Sequence, residues 1–286
     1  MDGRTTDSLR GKFTSHCLLV ESNDGLVLVD TGLGTRDIAD SRGRLSRFVL
    51  ALLRPEFRDE MTAVRQVQRL GFDPRDVRHI VLSHLDFDHA GGVDDFPHAR
   101  VHLLADERDA AFAQKTLLDR MRYRPQQWST RENWHVYAAA RGETWFGFDA
   151  VKDLIGLPPE ILMVPLVGHT FGHAGIAVQR EDGGWLLHAA DAYFYHLEMD
   201  LERPRCTPGL RLYQSMMEKD RKQRFWNQRR LRELRRAHGE SVTIVCAHDV
   251  TEFQRIAGRP FDVPAGSGTR ITHTKIVTVG LEPART

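Results

Sequence analysis

The chain has few cysteines, no long apolar run and almost no net charge, and each shortage excludes a class of protein. Three of the 286 residues are cysteines, at Cys17, Cys206 and Cys246, and their wide spacing excludes a disulfide framework and a paired-cysteine zinc site. No run approaches the ~20 apolar residues of a membrane span, and residues 1–12 lack the apolar centre of a signal peptide. We therefore expect a cytoplasmic protein with reduced thiols and no membrane partner.

Charge and size give equally general limits. The formal net charge is +1, from 40 basic and 39 acidic residues, so no overall attraction to nucleic acid is expected. Nine Lys and Arg residues between positions 219 and 236 are the exception, and we interpret them as a solvated helix face rather than an RNA-binding face. The expected partner is a small-molecule substrate, and the sequence leaves a homodimer open. With 41% hydrophobic residues, the chain can form a single domain over 1–286 with inserts at 36–60 and 110–150.

The most informative stretch is SHLDFDHAGG at residues 83–92. It contains four side chains able to bind a metal within six positions, namely His84, Asp86, Asp88 and His89. An apolar run at 79–82 precedes it and two glycines close it, which is typical of a buried strand ending in a tight loop. Alternate residues of an extended chain share a face, so the first three can converge on one metal. His89 must point elsewhere, which suits a second metal.

The other segments alternate between strand and helix patterns. Asn23-Asp24-Gly25 predicts a β-hairpin whose second strand ends at Asp30, for which we favour a supporting role. Residues 123–150 are aromatic and irregular in pattern. The remaining predictions are a helix over 60–70, a helix over 105–122, a long helix over 210–237 and a last strand over 270–279.

Ligand-type residues recur at the ends of four predicted strands. After the first block come His169, Asp191 and His248, each preceded by an apolar run. If these strands lie side by side, seven nitrogen and oxygen ligands meet at one edge. That number is too large for one tetrahedral metal and suits two metals sharing a carboxylate, with Asp191 as the bridge. Since no sulfur ligand is involved, zinc, manganese or iron is expected.

Together these motifs resemble the metallo-β-lactamase superfamily. The resemblance covers residues 13–250 and includes VDTGLG at 29–34, HLDFDH at 84–89 and GHTFGH at 168–173. It implies an α/β (α+β) fold, a four-layer αββα sandwich with a dinuclear metal site at one edge of the sheets. By motif match, the first metal is held by His84, Asp86 and His169, the second by Asp88, His89 and His248, and Asp191 bridges them. His173 matches a supporting position.

Asp86 departs from the usual family block, which has histidine at this position. The three carboxylates and a bridging hydroxide would then balance the charge of two divalent ions, so the pKa of bound water would be depressed less. We therefore expect two divalent metals, with zinc first and manganese or iron as alternatives because aspartate is a harder ligand. A mononuclear site is the other alternative.

The resemblance implies a hydrolase in which a metal-bound hydroxide cleaves an ester-like bond, and a lactone is the first expectation. Asp88 would carry the proton to the leaving oxygen, and Tyr193 would stabilise the oxyanion, as a tyrosine just after the bridging aspartate does in lactone-cleaving members. Thioester and β-lactam hydrolysis are alternatives, and a nuclease or an iron-dependent oxygen-using protein are alternatives of another class. We expect residues 36–60 and the aromatics of 123–150, including Trp128, Trp134 and Trp145, to form an apolar substrate pocket.

Overall fold

The opening hairpin forms the middle of the first sheet. The computed structural model describes residues 12–129, 132–138 and 142–260 and the backbone of 276–281. In it β1 (Ser15–Ser22) pairs antiparallel with β2 (Gly25–Val29). Leu18 faces one side of the sheet and Leu19 the other, and both are fully buried. Gly25 has a positive φ of 126° that suits the predicted turn.

The first sheet continues in both directions from this hairpin. Its strand order is β12-β1-β2-β3-β4-β5, with the strands β3 (Val77–Val81), β4 (Arg100–Leu104), β5 (Trp134–Tyr137) and β12 (Ile276–Leu281). The strands from β2 to β5 run parallel, whereas β12 and β1 are antiparallel. Of the predicted last strand, residues 270–275 lie outside the described residues.

The second sheet has the order β11-β10-β9-β8-β7-β6 and is antiparallel except between β10 and β11. Its strands are β6 (Glu143–Trp145), β7 (Phe148–Asp153), β8 (Ile161–Pro165), β9 (Ala174–Gln179), β10 (Trp185–His188) and β11 (Val242–Val245). Thus β5, β6 and the first half of β7 lie in the segment 123–150, which the sequence pattern predicts to be irregular. The tight turn at Phe146 and Gly147, both with positive φ, interrupts the alternation there and hides the strand pattern.

Helices cover the outer faces of both sheets. They are α1 (Thr35–Ala39), α2 (Ser41–Arg44), α3 (Arg47–Leu53), α4 (Ala63–Arg69), α5 (Ala105–Ala113), α6 (Leu117–Arg122), α7 (Pro208–Met217), α8 (Arg221–His238) and α9 (Val250–Ala257). One apolar core lies between the sheets, a second lies under α4 and α5, and a third lies under α8. This arrangement confirms the expected αββα layers.

Two predicted helices are each divided in the structure. The helix over 105–122 ends at Gln114, which has a left-handed conformation, and restarts as α6. The helix over 210–237 is broken between Met217 and Arg221, where Asp220 caps α8. Within this break, the Lys219 amide donates to the Gly168 carbonyl, 2.9 Å away, and so holds the loop that carries His169.

The basic helix α8 directs several of its cations inward. Arg230, Arg232 and Arg235 donate to the carbonyls of Gly147, Glu198 and Met199. Arg224 is buried and pairs with Glu218. These charges hold neighbouring loops, so the solvated face that the sequence predicts is only part of the role of α8. In the described part of the chain, no helix is both long and apolar enough to cross a membrane, and the three cysteines are free thiols.

Candidate metal centre

The seven expected ligands lie together at one edge of the two sheets. The block after β3 provides His84 to His89, the loop between β8 and β9 provides His169, and the segments after β10 and β11 provide Asp191 and His248. Ala190, immediately before Asp191, has a positive φ of 45°, which is costly for a residue with a Cβ. The backbone is therefore strained at the point where it directs the central carboxylate.

The first cluster joins His84, Asp86, His169 and Asp191, all buried. His169 Nε2 lies 3.1 Å from Asp86 Oδ2 and 3.2 Å from Asp191 Oδ2. His84 Nε2 lies 3.4 Å and 3.7 Å from the same two oxygens. Ligand atoms about 2.1 Å from a tetrahedral zinc stand roughly 3.4 Å apart. The spacing of these four atoms therefore fits a divalent metal.

The second cluster contains Asp88, His89 and His248 and uses the other oxygen of Asp191. Asp191 Oδ1 lies 3.2 Å from His89 Nε2 and 3.0 Å from His248 Nε2, and the two Nε2 atoms are 3.4 Å apart. Asp88 is farther away, with its oxygens 4.0 Å and 3.8 Å from these two nitrogens. One oxygen of Asp191 thus faces each cluster, which is the arrangement expected of a bridging carboxylate.

The electrostatics of the centre favour bound cations. His84 Nε2 and Asp191 Oδ1 are buried and make no hydrogen bond within the described structure. Burial lowers the pKa of His89, but the carboxylates of Asp191, Asp30 and Asp88 outweigh it and hold this pKa well above its usual value. Burial likewise raises the pKa of Asp191, whereas the neighbouring histidines bring it well below the ordinary range. Without metal, protonated histidines supply positive charge that divalent ions could supply instead. The donor set therefore fits the group that the motifs imply.

Outer hydrogen bonds orient three of the ligand rings. His89 Nδ1 lies 2.9 Å from Asp30 Oδ2, His84 Nδ1 lies 2.9 Å from Ser83 Oγ, and His248 Nδ1 donates to the Thr14 carbonyl at 2.6 Å. Each contact leaves the Nε2 atom directed at the cluster. Asp30 also accepts from the Ser83 amide and hydroxyl. Its burial raises its pKa, but His89 dominates and lowers it to about 2.

His173 has the supporting position that the sequence suggests. Its Nδ1 donates to the Leu166 carbonyl at 2.9 Å, and its Nε2 accepts the amide of Asp191 at 2.9 Å. Both ring nitrogens are engaged by the backbone, so His173 fixes the strained bend at Asp191.

Two charged residues near the centre lie outside the motifs that the sequence shows. Glu107 is buried and accepts from the amides of Leu85 and Gly172, so it joins the two loops that carry histidine ligands. Arg122 is also buried and forms a two-pronged ion pair with Asp86, with distances of 2.6 Å and 2.5 Å. The sequence offers no signal for either residue beyond a charge on a helix with other charges. The guanidinium of Arg122 therefore offsets the negative charge that Asp86 adds to the centre.

Tyr193, the expected oxyanion donor, and Tyr213 differ in their surroundings. Tyr193 is fully buried in the core under α8, and its hydroxyl donates to Glu252 at 2.9 Å. That arrangement does not suit the expected oxyanion donor, because the hydroxyl is already bonded to the buried Glu252 carboxylate. Tyr213, on α7, lines an apolar pocket together with Asp88 and His248, and its hydroxyl has no hydrogen-bond partner among the described residues. Burial, aided by the carboxylates of the centre, raises the pKa of Tyr213 well above its usual value, so it remains a donor.

The pocket beside Asp88 has only part of the expected wall. Its apolar lining comes from the N-terminal segment, the 36–60 insert and the metal loops, and comprises Phe13, Leu33, Leu53, Pro55, Phe87 and Phe194. Trp128 and Trp134 pack against Phe112 beside the first sheet, and Trp145 packs in the core of the second sheet. None of the three tryptophans lines this pocket. Leu53 and Pro55 of the segment 36–60 thus contribute to the wall, whereas Trp128, Trp134 and Trp145 pack elsewhere.

Comparison with known proteins supports the family that the motifs suggest. A family model of the metallo-beta-lactamase superfamily matches residues 10–215. A probable metallo-hydrolase of Mycobacterium tuberculosis is 43% identical over 241 residues, which is 84% of this chain and 76% of that protein. An N-acyl homoserine lactonase of Bacillus thuringiensis is 27% identical over 188 residues, or 66% of this chain and 67% of the lactonase.

Solved structures agree with the observed fold. A Bacillus thuringiensis AiiA variant with N-decanoyl-L-homoserine bound at its active site aligns with a TM-score of 0.63 and 23% identity, covering 86% of this chain and 85% of that one. An N-acyl homoserine lactone hydrolase with the product N-hexanoyl-L-homoserine at its catalytic metal center has the same TM-score at 20% identity, covering 88% and 97%. At these identities the likeness concerns the fold.

Proposed function

The chain belongs to the metallo-β-lactamase superfamily, and we propose that it is a dinuclear metallo-hydrolase that opens the ring of a lactone bearing an apolar acyl chain. The observation that carries this proposal is the position of Asp191, one oxygen of which faces each ligand cluster. The proposal assigns His84, Asp86 and His169 to the first metal and Asp88, His89 and His248 to the second. Zinc is the first choice of metal because nitrogen and oxygen donors at this spacing suit it.

Bound at these clusters, two divalent metals would polarise a substrate carbonyl and lower the pKa of water to near neutrality. The protein supplies the orientation of that chemistry. Asp30, Ser83 and the Thr14 carbonyl hold the rings by their Nδ1 atoms, and His173 holds the backbone of Asp191.

Two side chains at the pocket can handle protons. The Asp88 side chain is 17% exposed and lies where the pocket meets the second cluster, so its carboxylate can transfer a proton to a leaving alkoxide. We assign the oxyanion donor to Tyr213 instead of Tyr193, because its phenol faces the pocket without another partner in the described structure. Placed near developing negative charge, such a donor contributes substantially to rate.

The pocket favours a substrate with an apolar arm. Phe13, Leu53 and Phe194 line it close to Asp88, and an acyl chain lying there would leave the polar head near the metals. The names of the lactonase relatives support a lactone over a thioester or a β-lactam. A nuclease is disfavoured since the basic helix uses several of its arginines to hold its own loops.

The test is a substrate panel with zinc-loaded protein. N-hexanoyl and N-decanoyl homoserine lactone, an acyl thioester and a β-lactam would be compared, with ring-opened product identified by mass spectrometry. We expect lactone hydrolysis that chelation abolishes and zinc restores, and an Asp191→Asn variant should show none. Faster turnover of the thioester or β-lactam, or lactone turnover that persists after chelation, would overturn the lactonase assignment.

A further inference from the structure

Arg122 is a fully buried cation inside the first ligand cluster. It is the last residue of α6, and the next residue, Tyr123, forms an isolated antiparallel bridge with Asp86. Its Nη1 donates to the Met217 carbonyl at 2.7 Å. The bridge at Tyr123 and the hydrogen bond to Met217 thus hold the Arg122 side chain in place, and its remaining N–H groups face the cluster.

Those donors use the same atoms that a first metal needs. Arg122 Nη2 lies 2.5 Å from Asp86 Oδ2 and 2.8 Å from His169 Nε2. Both acceptors are members of the first cluster, and the same two atoms lie 3.1 Å from each other. A guanidinium carries only donors and keeps its charge at any ordinary pH. Because the guanidinium can only donate, the contact at 2.8 Å is an N–H directed at the one lone pair of His169 Nε2, and this nitrogen then makes no hydrogen bond to Asp86 Oδ2, although the two atoms lie 3.1 Å apart.

His169 can bind either Arg122 or a metal through the same ring nitrogen. Its Nδ1 is buried and has no hydrogen-bond partner in the described structure, so this nitrogen carries the proton whenever Nε2 acts as acceptor. The same tautomer presents Nε2 to a metal. Arg122 and a metal therefore compete for one lone pair without any change in the protonation of the ring.

We propose that Arg122 is an internal occupant of the first metal site, which binds metal only when the guanidinium releases His169, so that the second site fills first. This proposal rests on the dinuclear function proposed above and adds the order of loading. Among the described residues, the second cluster has no Lys or Arg ion-paired to Asp88 or Asp191. The asymmetry between the sites therefore lies in Arg122.

The same residue compensates the charge of Asp86. A carboxylate paired with a guanidinium is neutral as a unit, as a histidine ligand would be. The positive end of that pair stays beside the first metal, however, and repels it through a medium of low dielectric constant. First-site affinity is then set by the pair, and removing only the cation should raise it.

Zinc titration of the metal-free wild-type protein against a competing chelator tests the order directly. We expect two separate binding steps, and the zinc affinity of the first should exceed that of the second about tenfold or more. Anomalous diffraction from crystals with one zinc equivalent should show a peak between Asp88, His89 and His248. A first peak between His84, Asp86 and His169, or equal filling of both sites, would overturn the proposal while leaving the dinuclear function standing. If neither cluster binds zinc, both proposals are wrong.

Variants separate competition from support. Arg122→Met should tighten the weaker step about tenfold or more and leave the tighter step within about twofold. Arg120→Met, on the same helix but exposed, should change neither. If Arg122 only supports Asp86, Arg122→Met will weaken the first site instead, and the proposal is overturned.

Arg122→Met leaves the carboxylate of Asp86 without its cation. A second pair of variants tests the competition without that complication. Asp86→His leaves Arg122 buried and unpaired beside the metal, so it should weaken the first site. Asp86→His with Arg122→Met removes both charges and should bind the first zinc more tightly than Asp86→His alone. Equal or weaker binding by the double variant would contradict the role of Arg122 as competitor.

Discussion

Asp30 Oδ2 lies 2.9 Å from His89 Nδ1. This contact joins the loop at 29–34 to the segment 83–92, and it determines that the other ring nitrogen of His89 faces the second cluster. Asp30 itself has a positive φ of 54°, an unusual conformation that the Ser83 hydrogen bonds maintain. The sequence pattern favours a supporting role for Asp30. The observed geometry agrees with that role, since the carboxylate contacts a candidate ligand from outside the cluster.

Replacing Asp30 with asparagine should weaken zinc binding at the second site about 10- to 100-fold, the usual effect of losing such an outer partner. The amide can no longer pair with both His89 and Ser83 as a carboxylate does. Competition with a chromophoric chelator measures this affinity. Asp24→Asn, at the exposed hairpin turn, is the control, and a zinc affinity for Asp30→Asn within twofold of this control would refute the orienting role.

Exchange of the two tyrosines for phenylalanine should give opposite results. Tyr213→Phe removes the pocket phenol and should lower kcat about 10²-fold with little change in KM, the scale of one oxyanion donor. Tyr193→Phe should leave kcat nearly unchanged but reduce the free energy of unfolding by about 1–3 kcal/mol, because Glu252 loses a buried donor. Steady-state kinetics and urea denaturation distinguish them. A loss of kcat in Tyr193→Phe alone would show that Tyr193, and not Tyr213, is the oxyanion donor.

The pH dependence of stability should carry a contribution from Glu252. Burial, with Asp249 nearby, raises its pKa from 4.5 to about 7. Between these values the folded protein binds more protons than the unfolded chain, so the free energy of unfolding falls as the pH rises through this window. The full effect is about 3 kcal/mol. Glu252→Gln should lack this fall, and urea denaturation of both metal-free proteins at pH 5 and pH 8 measures the difference. Parallel pH profiles would show that folding does not raise the pKa of Glu252.

The preference for acyl-chain length should depend on Leu53 and not on its neighbour. Leu53 lines the pocket, whereas Leu52 is 46% exposed and lies outside it. Leu53→Ala should cost about 1–3 kcal/mol of transition-state binding for a decanoyl substrate and less for a butanoyl one, while Leu52→Ala should leave both unchanged. Trp145→Ala should lower stability without altering the preference. Comparison of kcat/KM for the two substrates decides between these outcomes. An altered preference in Trp145→Ala would show that the segment 123–150 contributes to the substrate pocket.

The ligand set could be predicted from the sequence because each member follows an apolar strand, and strand ends collect at one edge of a sheet. The partner of Asp86 could not, since Arg122 is 36 residues away on a short helix that also carries Asp119 and Arg120, and the pattern does not show which of these charges reaches the centre. The closeness of Tyr193 to Asp191 along the chain favours it as the oxyanion donor, but sequence distance does not show which groups its hydroxyl contacts. Tyr213 reaches the pocket from α7, and only the folded chain reveals this.

The position of metal in zinc-saturated crystals can be measured directly by anomalous diffraction at the zinc absorption edge. We expect two peaks, one among His84, Asp86, His169 and Asp191 and the other among Asp88, His89, His248 and Asp191. Elemental analysis of the same sample should give close to two zinc ions per chain. A single peak that excludes Asp191, or no peak at this edge of the sheets, would show that the protein has no dinuclear centre there.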